Sequence, residues 1–278
     1  MNSIPQEDYY WGPVTSTIDW CEENYSLSPY MAEVVNATTN LSFAFLTLFG
    51  VYNTLRNNCR KSFVLAHLGI LFVGIGSWLF HMTLQYEWQL MDELPMIYVS
   101  CIMTYFSIEL YSKPKFGWPL IGFLVGYSVF VTWSYLIIND PVFHQVAYAF
   151  VIFIIVIRSL YTVLSLPRTA TYDYEYPRLL KLLKLAAAGF IISFGVWNID
   201  NQCCSYLRHF RSMVPYALGA LTQLHGWWHI GTSLGCYYYS VYVEWVHMIL
   251  NEENKQQFEL VWVGIICYLR PIGKIHKH

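Results

Sequence analysis

The chain has 278 residues, of which 56% are apolar, 18% aromatic and only 12% charged, with a formal net charge of −2. Soluble domains carry about 25% charged residues, so half the usual complement is missing, and a mean hydropathy of +0.37 agrees. This composition excludes a disordered chain, a secreted disulfide scaffold and a basic nucleic-acid binder, and leaves a membrane protein with several spans.

The first 17 residues include Glu7 and Asp8 and lack a basic stretch leading into an apolar core. No signal peptide is therefore expected, and the first span directs insertion. A helix needs about 20 apolar residues to cross roughly 30 Å of hydrocarbon. In chain order, the stretches 34–55, 63–86, 92–111, 116–139, 141–164, 182–204 and 212–243 meet that need. The third has its apolar centre between Glu93 and Glu109, the fifth is interrupted by Arg158, and the sixth carries Lys184 and Asp200 near its ends.

The connecting segments orient the spans. Arg56, Arg60 and Lys61 follow the first span, Lys113 and Lys115 the third, Arg168, Arg178 and Lys181 the fifth, and Lys255, Arg270, Lys274 and Lys277 the seventh. Only Arg208 and Arg211 fall on the other side. The positive-inside bias makes this an all-α membrane protein, a seven-helix bundle with a luminal or extracellular N-terminus and a cytosolic C-terminus. Residues 1–32 form the outer segment, 33–242 the bundle and 243–278 the tail. The apolar run 258–269 is too short to span and reads as interfacial.

Polar side chains inside a bilayer are costly, so each raises a functional question. His81 falls near the luminal end of the second span and Asp92 at the luminal start of the third, with ten residues between them, enough for a short hairpin. The seventh span carries His225 and His229, whose spacing of four puts both imidazoles on one helix face about 6 Å apart. Three histidines with an aspartate fit a catalytic zinc site, which keeps its fourth position for water. Asp92 is then either a weak ligand or a base for that water. Ser77, one turn before His81, is placed to donate to a developing oxyanion. The spacing does not exclude a haem held by two histidines. His67 and His247 read as packing histidines, and Asp200 with Asn198 and Asn201 as a packing network.

Before the first span, Asp19, Trp20, Cys21, Glu22, Glu23 and Asn24 form an acidic segment, with Glu33 nine residues further on. Its oxygens suit calcium, but it does not follow the EF-hand pattern, and composition alone reads it as a solvated acidic segment. Of the seven cysteines, Cys21, Cys203 and Cys204 fall on the luminal side, where a bridge is permitted.

The motifs Tyr10-Trp11-Gly12-Pro13, Ser16 to Tyr25, Gly76-Ser77-Trp78 with His81-Met82-Thr83-Leu84, and Met91-Asp92-Glu93-Leu94-Pro95-Met96 resemble those of the alkaline ceramidases. Phe143-His144-Gln145, Trp197 to Asn201 and His225-Gly226-Trp227-Trp228-His229 continue the likeness. The resemblance covers residues 9–242 and implies a seven-helix amidase that cleaves ceramide to a sphingoid base and a fatty acid. It implies zinc at His81, His225 and His229, with Asp92 as the base and Ser77 and Tyr148 stabilising the oxyanion. It turns the acidic segment into a calcium site at Asp19, Trp20 (through its carbonyl), Glu22, Asn24 and Glu33, and it pairs Cys21 with Cys204. Residence in the endoplasmic reticulum or Golgi membrane follows from the family. The family is similar in turn to the adiponectin receptors, and the competing class is a receptor or sensor holding zinc without turnover.

Overall fold

The computed structural model describes residues 5–168, 172–251 and 258–272. Its helices are α1 (Val34–Thr39), α2 (Leu41–Arg56), α3 (Ser62–Thr83), α4 (Tyr86–Ile108), α5 (Trp118–Ile138), α6 (Pro141–Leu164), α7 (Tyr172–Gln202), α8 (Cys204–Met213), α9 (Tyr216–Ala220) and α10 (Leu224–Asn251). Strands β1 (Phe258–Val263) and β2 (Ile266–Pro271) close the described chain as an antiparallel hairpin. Among the described residues, five helical stretches are long and apolar enough to cross a membrane: Val34–Arg56, Ser62–Thr83, Trp118–Ile138, Pro141–Leu164 and Tyr172–Gln202. The protein is therefore a helical integral membrane protein.

Local chemistry accounts for the boundaries. The first span is divided at Asn40, where Thr38, Thr39 and Asn40 turn their side chains onto carbonyls of their own helix, an alternative that competes with the helical ladder. Asn139, at φ +51°, ends α5 in the left-handed region. The Asp140 carboxylate then accepts from the Val142 N–H and caps α6, with Pro141 at its first position.

The seventh span differs from the expected 212–243. Val214 is extended, Pro215 supplies no N–H, α9 makes one short turn, and the long helix starts only at Leu224 and continues to Asn251. An uncharged run conceals these breaks, because hydropathy registers neither a missing donor nor a turn. The sixth span begins ten residues earlier than expected, at Tyr172.

The chain divides into two compact units; α2, α3, α4, α7 and α10 contribute to both, while α5 and α6 belong to the second. In the first unit (1–46, 70–96 and 188–234), Tyr25, Ala32, Phe80 and Leu84 form a core under Tyr9, Val14, Ile18, Trp20 and Trp88. This core holds the N-terminal segment on the end of α3. Main-chain bonds from Thr15 and Ser16 to the Leu84 carbonyl, and from Ala32 and Glu33 to the Met82 and His81 carbonyls, complete the attachment.

In the second unit (47–69, 97–187 and 235–278), Glu244 Oε1 accepts from Thr54 and lies 3.1 Å from His67 Nε2, so His67 is a buried histidine held by a hydrogen bond. The hairpin buries Phe258, Leu260, Cys267 and Leu269. Tyr237 and Tyr238 donate to its Cys267 and Ile265 carbonyls.

Candidate metal centre

The first unit brings His81 of α3 together with His225 and His229 of α10. Their ring centroids are 4.9, 4.9 and 4.6 Å apart, and one ligand nitrogen from each lies within 4.8 Å of the others. All three side chains are buried. The spacing of four carries both α10 histidines to one face, and Gly226 between them allows close approach, since a Cβ there would press on Thr39 and Val35.

The neighbours fix which nitrogen each ring offers. His81 Nδ1 lies 2.5 Å from Glu33 Oε2; with Glu33 ionised, as it would be beside bound cations, the carboxylate accepts and the proton sits on Nδ1. His81 Nε2 is left buried without a partner. Thr39 Oγ1 gives its proton to the Val35 carbonyl at 2.8 Å and therefore accepts from His229 Nδ1 at 3.0 Å, which frees His229 Nε2. His225 Nδ1 is also buried without a partner, and Trp20 stacks on this ring at 4.2 Å. Orphaned nitrogens on neutral imidazoles are what a divalent metal takes, and the carboxylate behind His81 is the usual outer support of a ligating histidine.

Asp200 has a defined place. Its Oδ1 accepts from the Leu224 N–H at 3.1 Å, and its carboxylate also meets the N–H groups of His225 and Cys21. The aspartate thus caps the helix that bears two of the histidines and ties that helix to the N-terminal segment.

Ser77 hydrogen-bonds to the Asp92 carboxylate. Pro95 lacks the N–H that would occupy the Met91 carbonyl, and that carbonyl sits where a Cβ on Gly76 would stand. The pair Gly76 and Pro95 therefore lets α3 and α4 approach closely, and Ser77 and Asp92 meet beside the contact. Because Ser77 precedes His81 by one turn, the hydroxyl–carboxylate pair shares the histidine's face of α3. Tyr148 belongs to the second unit and packs against the cluster of Ile97, Cys101 and Val131.

In the acidic segment, Asn24 Nδ2 donates to Asp19 Oδ1 at 2.9 Å, and the Glu22 oxygens each accept a backbone N–H, from Val35 and Asn36, at 2.8 Å. The Trp20 carbonyl accepts from Arg208. Burial, followed by the charge of Glu33, pushes the Glu22 carboxyl up to about 8, against the pull of its two N–H donors. Burial likewise lifts Glu33 well above the usual carboxylate range, with Asp19 and Asp200 adding to the effect and Asn36 and Arg208 opposing it. Asn24 Oδ1 and Glu33 Oε1 are buried oxygens without partners. Hard oxygen donors crowded in this way fit a calcium ion. A disulfide joins Cys21 to Cys204 and fixes the segment to α8.

Sequence spacing reveals the α10 histidine pair but not Glu33 behind His81, Thr39 behind His229 or Arg208 beneath the acidic loop. These contacts join residues 48, 190 and 188 positions apart. The one local signal was Glu33 immediately before an apolar run, at a helix start.

This architecture defines a class: helical membrane proteins with a buried three-histidine site able to hold a metal ion. The chain matches the Ceramidase family over residues 12–270 and belongs to that family. It is 41% identical over 261 residues to alkaline ceramidase 3 of Mus musculus, covering 92% of this chain and 94% of the relative. An alkaline ceramidase of Saccharomyces cerevisiae is 39% identical over 279 residues, at 91% and 86% coverage. An alkaline ceramidase of Arabidopsis thaliana is 28% identical over 230 residues, with 82% of each chain covered.

Proposed function

We propose that this protein hydrolyses the amide bond of ceramide to a sphingoid base and a fatty acid, with zinc at His81, His225 and His229. The observation that carries the reading is the buried histidine triad with a Ser77–Asp92 pair on the same helix face, in a chain of this family. Zinc held by three imidazoles supplies a Lewis acid for the amide carbonyl and makes water acidic near neutral pH.

The chain's own groups do the rest. The Asp92 carboxylate takes a proton from the attacking water and returns it to the leaving nitrogen, so the amide C–N bond breaks as water's O–H is spent. The Ser77 hydroxyl donates to that carboxylate before the attack and turns to donate to the oxyanion once Asp92 carries the proton. Glu33 keeps the His81 proton on Nδ1, and the buried aromatic core around Trp20 excludes bulk water.

Calcium binds Asp19, Glu22, Asn24, Glu33 and the Trp20 carbonyl, and orders the segment that leads into α1. The positive-inside bias of the connecting segments supports a luminal side, in the endoplasmic reticulum or Golgi, for this segment and a cytosolic side for the tail. Ceramide reaches the site sideways from the membrane.

The test is release of fatty acid from ceramide by purified protein, before and after zinc chelation, with Asp92→Asn alongside. The expected result is loss of activity on chelation, recovery with zinc, and a 10²–10⁴-fold loss in Asp92→Asn with its zinc retained. Asp92→Asn that loses the metal makes Asp92 a ligand, and zinc-loaded protein without turnover makes the chain a receptor or sensor.

A further inference from the structure

α8 has ten residues, too few to cross a membrane, and nine of its side chains sort into three faces, with Leu207 alone on the remaining flank. At about 100° per residue, Cys204, Arg208 and Arg211 fall within one arc of roughly 60°. Tyr206, Phe210 and Met213 occupy the diametrically opposite arc, and Ser205, His209 and Ser212 lie between the two on one flank.

The first face is fully engaged. Cys204 is bonded to Cys21. Arg208 donates to the carbonyls of Trp20, Cys21 and Glu22 at 3.1, 3.1 and 3.3 Å. Arg211 donates to the Cys21 carbonyl at 2.6 Å and pairs with Glu23 at 3.0 Å.

The opposite face covers nothing: Tyr206 is 78% exposed, Met213 65% and Phe210 44%. It follows directly on α7, whose Ile191, Ile192, Phe194 and Ile199 are exposed on a helix apolar enough to cross the membrane. Two aromatics and a methionine beside that aliphatic surface, with serines and a histidine along one flank, match a helix lying in the plane of the membrane interface. Water would solvate the flank, and lipid would cover the aromatics.

We propose that α8 is an interfacial lipid-binding helix, seated through Tyr206, Phe210 and Met213 in the leaflet nearest the acidic segment, and that its arginine face holds that segment against the membrane surface. The bilayer thereby becomes part of the support for Trp20, which stacks on His225. The inference rests on membrane insertion alone and not on the reaction, so protein without ceramide turnover tests it equally well.

The test places p-benzoylphenylalanine at Tyr206, Phe210 or His209 of the full chain in phosphatidylcholine vesicles. After irradiation, the adducts are identified by mass. Phospholipid adducts at 206 and 210, and none at 209, are expected. Crosslinks at 206 and 210 to a second copy or another protein, or no adduct at either position, overturn the proposal. Phe210→Asp gives an independent reading: amide exchange in residues 19–24 and 204–213 should rise about tenfold in vesicles, with residues 224–234 unchanged. Unaltered exchange in both segments overturns the coupling.

Discussion

Glu33 shows what a single side chain carries in this site. One oxygen holds His81 Nδ1 at 2.5 Å and the Asn36 amide at 3.2 Å, while the other is buried without a partner. The resemblance to a known family assigns Glu33 to calcium alone, whereas the geometry makes it an orienter of a metal-ligating histidine as well. The two roles separate in calcium-free buffer. Glu33→Gln keeps the shape but loses the charge that fixes the His81 tautomer, and outer partners of this kind are worth 10–100-fold in metal affinity. The expected result is zinc affinity lower by that factor, measured by competition with a chelator. Unchanged zinc affinity with a lost calcium response would leave Glu33 as a calcium ligand only. At this scale the sequence exposes what spacing encodes, the His225–His229 pair, and hides what only the fold creates, the partners of those rings.

Among the elements, α10 depends on Asp200, which replaces the missing intrahelical acceptor at its first turn. Asp200→Ala leaves the Leu224 and His225 donors buried and unpaired, at a cost of about 0.5–2 kcal/mol for a lost cap. Asp200→Asn keeps an acceptor and should retain most of that stability. The expected order of thermal midpoints is wild type, then Asn, then Ala, with zinc affinity falling in the same order. Equal zinc affinity in all three would reduce Asp200 to a packing residue.

The α4–α5 connection depends on Glu109 in a similar way. Its carboxylate accepts from the N–H groups of Lys115 and Phe116, both at 2.6 Å, and of Gly117 at 2.9 Å. Burial alone would raise this carboxyl, but the three donors and the Lys115 charge together hold it below its usual value. A carboxyl depressed in the folded state adds stability above its unfolded pKa of about 4.3, and that stability disappears as pH falls through the lower folded value. Glu109→Gln should therefore lower the thermal midpoint above about pH 5, with the gap closing below about pH 4. A gap independent of pH would mean that shape, not charge, holds the loop. None of this was legible in a glutamate at the end of an apolar run.

For the whole molecule, the apolar runs revealed the helical membrane architecture directly. They placed two helix starts wrongly, at 182 instead of Tyr172 and at 212 instead of Leu224, and in the second case the break comes from Pro215 and a turn without charge. The two long helices that fall outside the apolar five, α4 and α10, are those bearing Gln89, Asp92 and Glu93, and His225, His229 and Glu244. Part of that polarity, Asp92, His225 and His229, belongs to the candidate site, so hydropathy is weak where the candidate site lies. This gives the topology a sharp test. Counting α4 and α10 as spans makes seven crossings, an odd number, which puts the two ends of the chain on opposite sides. If either helix stayed out of the membrane, six crossings would put both ends on the same side. Epitope tags at the N-terminus and after His278, probed in sealed microsomes with protease, should give one protected end and one digested end, the tail being cytosolic. Two ends with the same protection would remove one of these helices from the membrane and, with it, the buried setting of the three histidines and the carboxylate on which the proposed hydrolysis rests.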